Sequence, residues 1–169
     1  MTKTLTLKTK DIIKLNGLIE GVIANEALAS ELISEYDLCF ITAYNSPLSQ
    51  HQSISIRDII QEDFLLREEG SAIREIFDSV LRINDLHIEP VWTSINSQVL
   101  IKAVINGIGI SILPRTLIND YLTNKQLSIN NVKDVELVNN NYVIYNRGKQ
   151  FDHELAEFKD FIIKYSSVK

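Results

Sequence analysis

The chain has 169 residues, 45% of them hydrophobic and 23% charged, and a net charge of −5. That composition fits a globular protein of one domain or two small lobes, and the negative charge argues against a nucleic-acid surface, which needs a basic patch. No apolar run approaches the roughly 18 residues of a membrane span, the first residues lack the apolar core of a signal peptide, and a lone cysteine, Cys39, cannot form an internal disulfide and fits a reducing cytoplasm.

Residues 4–8 alternate leucine with polar side chains and predict a short strand. Residues 11–15 allow only a turn or two of helix. Leu18 and Ile19 between Gly17 and Gly21 read as a short buried strand with Glu20 at its end, and 25–33 as a loop with a helical turn. Residues 37–43, Asp-Leu-Cys-Phe-Ile-Thr-Ala, predict a core strand, and Tyr44-Asn45-Ser46-Pro47 is turn chemistry. A helical turn is expected over 56–60 and a strand over 63–67. Ser71 then caps a long helix with an apolar stripe of Ile73, Ile76, Phe77, Val80 and Leu81, stopped by Asn84-Asp85. Residues 87–93 predict a strand bent or edged by Pro90.

Residues 94–114 organise the rest. Ser94, Asn96 and Ser97 can each accept a bond from the free N–H groups of a helix start, Val99, Leu100, Ala103 and Val104 recur at helical spacing, and Gly107 ends the helix in a left-handed conformation. Residues 108–113 are nearly all apolar, as in a strand covered on both faces, and Pro114 starts the next helix, which ends at Asn124. Short strands are expected at 127–129, 135–137 and 142–145, with Asn139-Asn140-Asn141 as a turn. A last helix over 151–165 turns Leu155, Phe158, Phe161 and Ile162 inward. Helix, strand and helix in alternation indicate an α/β sheet.

Several motifs have plain readings. Gly107-Ile108-Gly109 lacks the third glycine of a dinucleotide loop and follows a helix, so it reads as a tight turn. Glu68 and Glu69 read as a solvated turn before a helix, where acids are favoured. Cys39 reads as a buried thiol. His51, His87 and His153 lack metal-ligand spacing, and Trp92 reads as packing. No titratable constellation has the spacing of a catalytic site, and no cofactor is expected.

The order of Ser46-Pro47-Leu48, Leu66-Arg67-Glu68-Glu69-Gly70-Ser71-Ala72-Ile73-Arg74, Ile101-Lys102-Ala103-Val104, Gly107-Ile108-Gly109-Ile110-Ser111-Ile112-Leu113-Pro114 and Tyr142-Val143-Ile144-Tyr145 resembles the effector-binding domain of LysR-type transcriptional regulators, over roughly 17–165. The resemblance implies an α/β fold of the two-lobed, type II periplasmic-binding-protein-like kind, with mixed sheets flanked by helices. The first lobe would be 1–44 plus 146–169, shorter than the family's, and the second 45–145. It implies a non-enzymatic sensing domain, dimeric and cytoplasmic, without the family's helix-turn-helix and therefore without direct nucleic-acid contact. Its partner would be a small organic or inorganic anion held between the lobes, with Ser71, Ser94, Asn96, Ser97, Thr42, Asn45, Glu20 and Gly107 as ligand-binding residues. A stand-alone solute-binding protein and a small α/β enzyme are the alternatives.

Overall fold

The computed structural model describes residues 17–21, 26–133, 135–148 and 153–166. The strand expected at 4–8 and the helical turn at 11–15 lie outside them. The described elements are β1 (Gly17–Glu20), β2 (Leu28–Ala43), a 3-10 turn (Pro47–Gln50), α1 (Ile56–Ile59), β3 (Leu65–Arg67), α2 (Ala72–Ile83), β4 (Trp92–Ser94), α3 (Ser97–Ile105), β5 (Ser111–Pro114), α4 (Arg115–Thr123), β6 (Leu127–Asn130), β7 (Val138–Asn146) and α5 (His153–Ser166). The chain divides into unit 1, Met1–Glu35 with Asn140–Lys169, and unit 2, Tyr36–Asn139. Both divisions fall upstream of the expected 44/45 and 145/146. The reason lies in β2, a single strand of 16 residues that passes from one unit to the other without a turn to mark the change.

Two segments differ from the sequence reading. Residues 28–33 belong to β2 and are not a loop; their polar members sit on a half-buried strand that pairs within unit 1. Asn139, Asn140 and Asn141 lie inside β7 and not in a turn, while 135–137 form no strand. Asparagine disfavours strands because its amide competes for backbone bonds, but here the amides are engaged elsewhere. Asn139 Nδ2 donates to Tyr36 Oη at 2.6 Å and Asn141 Nδ2 to Ser34 Oγ at 3.0 Å.

In unit 2, β2 pairs antiparallel with β5 (Leu38↔Pro114 to Ile41↔Ser111) and with β6 (Phe40↔Asn130 to Ala43↔Leu127). Strand alternation sends Leu38 and Phe40 to one face, and Cys39 and Ile41 to the other. On the first face Phe77 of α2 is fully buried, edge-on to Phe40 at 5.7 Å and stacked with Phe64 at 5.2 Å between ring centres. On the second, Leu100, Ile101 and Val104 of α3 and Ile118 of α4 pack over Cys39, Ile41 and Leu113. Burial raises the Cys39 thiol pKa, which keeps it in the unreactive protonated form.

In unit 1, β1 pairs antiparallel with β7 (Gly17↔Ile144 to Glu20↔Asn141), and β7 neighbours β2. Helix α5 is fastened to this sheet by Leu155, which is fully buried, and by Glu31, which accepts from Lys159 Nζ and, at 2.6 Å, from Tyr145 Oη. Phe161, expected inward, is 51% exposed and lies tilted against the Tyr165 ring instead, 4.5 Å between centres. The hydrogen bonds from Lys159 and then Tyr145 lower the Glu31 pKa. A carboxylate with a depressed folded-state pKa contributes stability above its unfolded pKa and loses it as pH falls through the folded value. Urea midpoints are therefore expected to fall below about pH 4, near the ordinary glutamate pKa. Glu31→Gln should remove part of that acid dependence, and an unchanged pH profile in the variant would show the pair to be idle.

Candidate functional site

Strands β3 and β4 pair in parallel, Leu65↔Trp92, Leu66↔Thr93 and Arg67↔Ser94, so they end at the same level. Each leads into a helix, α2 after β3 and α3 after β4. Two helix starts thus lie beside one strand-end pair, and at such starts unpaired N–H groups and the helix dipole favour negative charge. Open α/β sheets gather ligands at this end of their strands.

Arg67 sits between the two starts. Its Nη1 donates to Ser97 Oγ at 3.2 Å, and its Nε and Nη2 donate to Glu68 Oε2 and Oε1 at 2.8 and 2.9 Å. Arg74, 8% exposed, reaches back from α2 to the Arg67 carbonyl at 3.4 Å while its Nε donates to the Asp78 carboxylate at 2.8 and 3.0 Å. Arg74 therefore ties the first turns of α2 to the end of β3.

The hydroxyls differ in what they are already doing. Ser71 stands at the cap position of α2, but its side chain makes no capping bond. Ser94 Oγ accepts from Asn96 N at 3.1 Å, and Asn96 Oδ1 accepts from Gln98 N at 2.9 Å, so Asn96 is the cap of α3 and Ser97 belongs to its first turn. Ser71, Ser94, Asn96 and Ser97 are brought to the two neighbouring helix starts, with Arg67 between.

The other expected residues are elsewhere. Phe64 bridges Ile110 in parallel, which puts Arg67 level with Leu113 and hence with Cys39 on β2. Thr42 is three residues further along β2, about 10 Å away along the strand, with β5 between. Asn45 lies beyond it in an exposed turn. The reason is direction: β2 runs antiparallel to β5, so its C-terminal end lies away from the helix starts. The change of unit occurs at Tyr36, upstream of both residues. Thr42 is 1% exposed, with no hydrogen-bond partner for its hydroxyl among the described residues. Gly107, at φ +73, closes the opposite end of α3, where its N–H donates to Val104 O at 2.9 Å. Glu20 is in unit 1, bordering a cavity of about 310 Å³ with Ile19, Ile33, Ser34, Asn141 and Ile162.

Arg67 is the residue that sequence reading missed. The available signal was a cation as the last residue of a strand, three residues ahead of a Gly-Ser helix start. Glu68 is likewise no bare solvated turn, since it pairs with Arg67. Among the described residues no group of three His, Cys, Asp or Glu side chains is placed to hold a metal ion, and no helix is long and apolar enough to cross a membrane.

Residues 16–167 match the family model described as the LysR substrate binding domain. The chain belongs to that family. HTH-type transcriptional regulator CysL of Bacillus subtilis is 35% identical over 121 residues, 72% of this chain and 40% of CysL. The uncharacterized HTH-type transcriptional regulator YeiE of Escherichia coli K12 is 32% identical over 145 residues, 86% of this chain and 49% of YeiE. The chain thus spans about half or less of the length of these relatives. Among solved structures, the CcmR regulatory domain of Synechocystis PCC6803 in complex with 2-PG superposes with a TM-score of 0.77 at 19% identity, covering 89% of this chain and 73% of that one. The effector-binding domain of QuiR in complex with shikimate gives 0.74 at 20% identity, covering 94% and 78%. The fold is that of LysR effector-binding domains, the type II periplasmic-binding-protein-like class expected from the sequence. At the level of the family, these proteins are transcriptional regulators and not enzymes.

Proposed function

We propose that this LysR-type domain senses a small anion, held at the helix starts of unit 2, and passes its occupancy to a transcriptional regulator through contact between copies. The observation that carries the reading is the Arg67 guanidinium beside Ser97 Oγ at the start of α3, on a residue whose carbonyl Arg74 of α2 also reaches. A planar guanidinium suits carboxylate and other oxyanions, two helix dipoles add to its field, and the Ser71 hydroxyl, which makes no capping bond, is a further donor. Support from relatives comes from the CcmR and QuiR domains, which were solved with 2-PG and shikimate. Thr42, Asn45 and Gly107 drop out of the binding set on position. Glu20 lies on unit 1 and is not part of the proposed set.

The test is calorimetric titration of the chain with inorganic sulfate and a panel of small carboxylic acids. Saturable binding to the wild type is expected, weakened at least about thirtyfold in Arg67→Ala, as charge-assisted hydrogen bonds are worth about 2 kcal/mol. Binding that Arg67→Ala leaves intact would place the site elsewhere.

Contact between copies is proposed on the β4–α3 edge. Val91 (57% exposed), Trp92 (44%), Ile95 (78%) and Val99 (37%) crowd one short stretch, and among the described residues β4 pairs on one side only, with β3. Aromatic anchors on such a patch mark association surfaces. Trp92→Asp is expected to raise the dimer dissociation constant at least tenfold in sedimentation equilibrium. An unchanged constant would exclude this edge.

A further inference from the structure

Among the described residues, Glu68 is the acid whose carboxylate is bound to Arg67. Both its oxygens are used, one on Nε and one on Nη2, at 2.8 and 2.9 Å. This is the side-on fork geometry in which guanidinium takes a carboxylate or another oxyanion. The third contact of Arg67 runs from Nη1 to Ser97 Oγ, and Glu68 fills the side-on edge, where Nε–H and an Nη2–H point the same way. The pair is not locked in by burial: the side chains are 20% and 35% exposed. An exposed ion pair of this kind is held weakly.

We propose that Glu68 is a tethered occupant of the anion site, holding the Arg67 fork when the site is empty and displaced from it by an incoming oxyanion. The proposal rests on the anion-binding reading above. An arriving anion can exchange with the Glu68 carboxylate bond for bond, giving Arg67 the same two acceptors. If it does not, it must sit within a few Å of a fixed negative charge, and like charges at such a distance repel even in water. Exchange is the cheaper course. The tether gives Glu68 a local concentration that a free anion must overcome, so its presence raises the effector concentration at which the site fills and sets the sensing threshold. Hydrogen bonding to Arg67 also lowers the Glu68 pKa, keeping the competitor ionised.

The experiment is a sulfate titration of the full chain at constant ionic strength, comparing wild type, Glu68→Gln and Glu69→Gln. Glu69 is exposed, and its substitution makes the same change in net charge one residue away. Glu68→Gln is expected to bind sulfate about fivefold more tightly, with Glu69→Gln within twofold of wild type and both melting near the wild-type temperature. In the same titration the Arg67 Nε–H resonance should move in the wild type as its acceptor changes from Glu68 to sulfate. Equal tightening in both variants would reduce Glu68 to general charge and overturn the proposal. Weaker binding in Glu68→Gln would overturn it too, by making Glu68 a support for Arg67. Wild-type binding that depends on Arg67, with Glu68→Gln unchanged, would overturn the tethered occupant alone. Absence of sulfate and carboxylate binding in every protein, Glu68→Gln included, would overturn both this proposal and the anion reading.

Discussion

Phe77→Ala is expected to cost about 4 kcal/mol, close to the upper range for a large buried aromatic. Phe77 is fully buried and touches rings on two strands, Phe40 of β2 and Phe64 just ahead of β3. Its removal opens a cavity that α2 cannot collapse into, because Arg74 holds the helix start to the Arg67 carbonyl. Urea denaturation followed at the circular-dichroism band of the helices measures the loss. A cost under about 1 kcal/mol would mean that α2 does not depend on this face of the sheet. The same variant should also weaken anion binding, since α2 carries Ser71 to the site.

Gly109→Ala is expected to cost about 3 kcal/mol, from a single added methyl group. A Cβ at this position would fall 2.2 Å from the carbonyl oxygen of Asp63. The backbone cannot retreat, because Ile110 N donates to that same oxygen at 2.8 Å and Leu65 N donates to Ile110 O at 2.8 Å. Relief of the clash must break the ladder that seats β3 beside β5, and overpacking of this kind costs about 1–3 kcal/mol or more. For a chain of this size a loss of 3 kcal/mol lowers the melting temperature by about 6–12 °C. Gly107→Ala is the comparison. Nothing lies within 4 Å of its added Cβ, but φ is +73, so only the left-handed penalty of about 1–2 kcal/mol applies. Equal melting temperatures for the two variants would remove the close approach as the reason for glycine at 109.

The contrast between these glycines shows what could be read in advance. Gly107 was legible because a helix end announces itself locally: an apolar stripe stops and a residue without Cβ follows. Gly109 was not, because its constraint is the carbonyl of Asp63, far away in sequence. The same division runs through the fold. Helix α2 and the core strand after Asp37 carry their periods in the sequence, and the structure has both. The first half of β2 and the asparagines of β7 read as loop and turn because their polar side chains find partners only across strands, Ser34 with Asn141 and Tyr36 with Asn139.

The candidate site was legible in part for the same reason. Ser71, Ser94, Asn96 and Ser97 mark helix starts that sequence alone reveals. That the two starts are neighbours follows from the parallel register of β3 and β4, and it is this register that gives Arg67 its role. Thr42 and Asn45 were assigned to the site from their place in a crossing strand, and strand direction puts them at the far end of the sheet. Recognising the LysR family supplied the fold and the kind of function, but the order of motifs along a chain does not say which hydroxyls share a wall.

The most direct test of anion binding at the helix starts is a residue-resolved NMR titration of the chain with inorganic sulfate at constant ionic strength. Saturable shifts are expected at the backbone amides of Ser71, Ala72, Ile73, Ser97 and Gln98, with one common dissociation constant and with Thr42 and Asn45 unmoved. Saturable shifts centred on Thr42 and Asn45, or none at the starts of α2 and α3, would contradict the site.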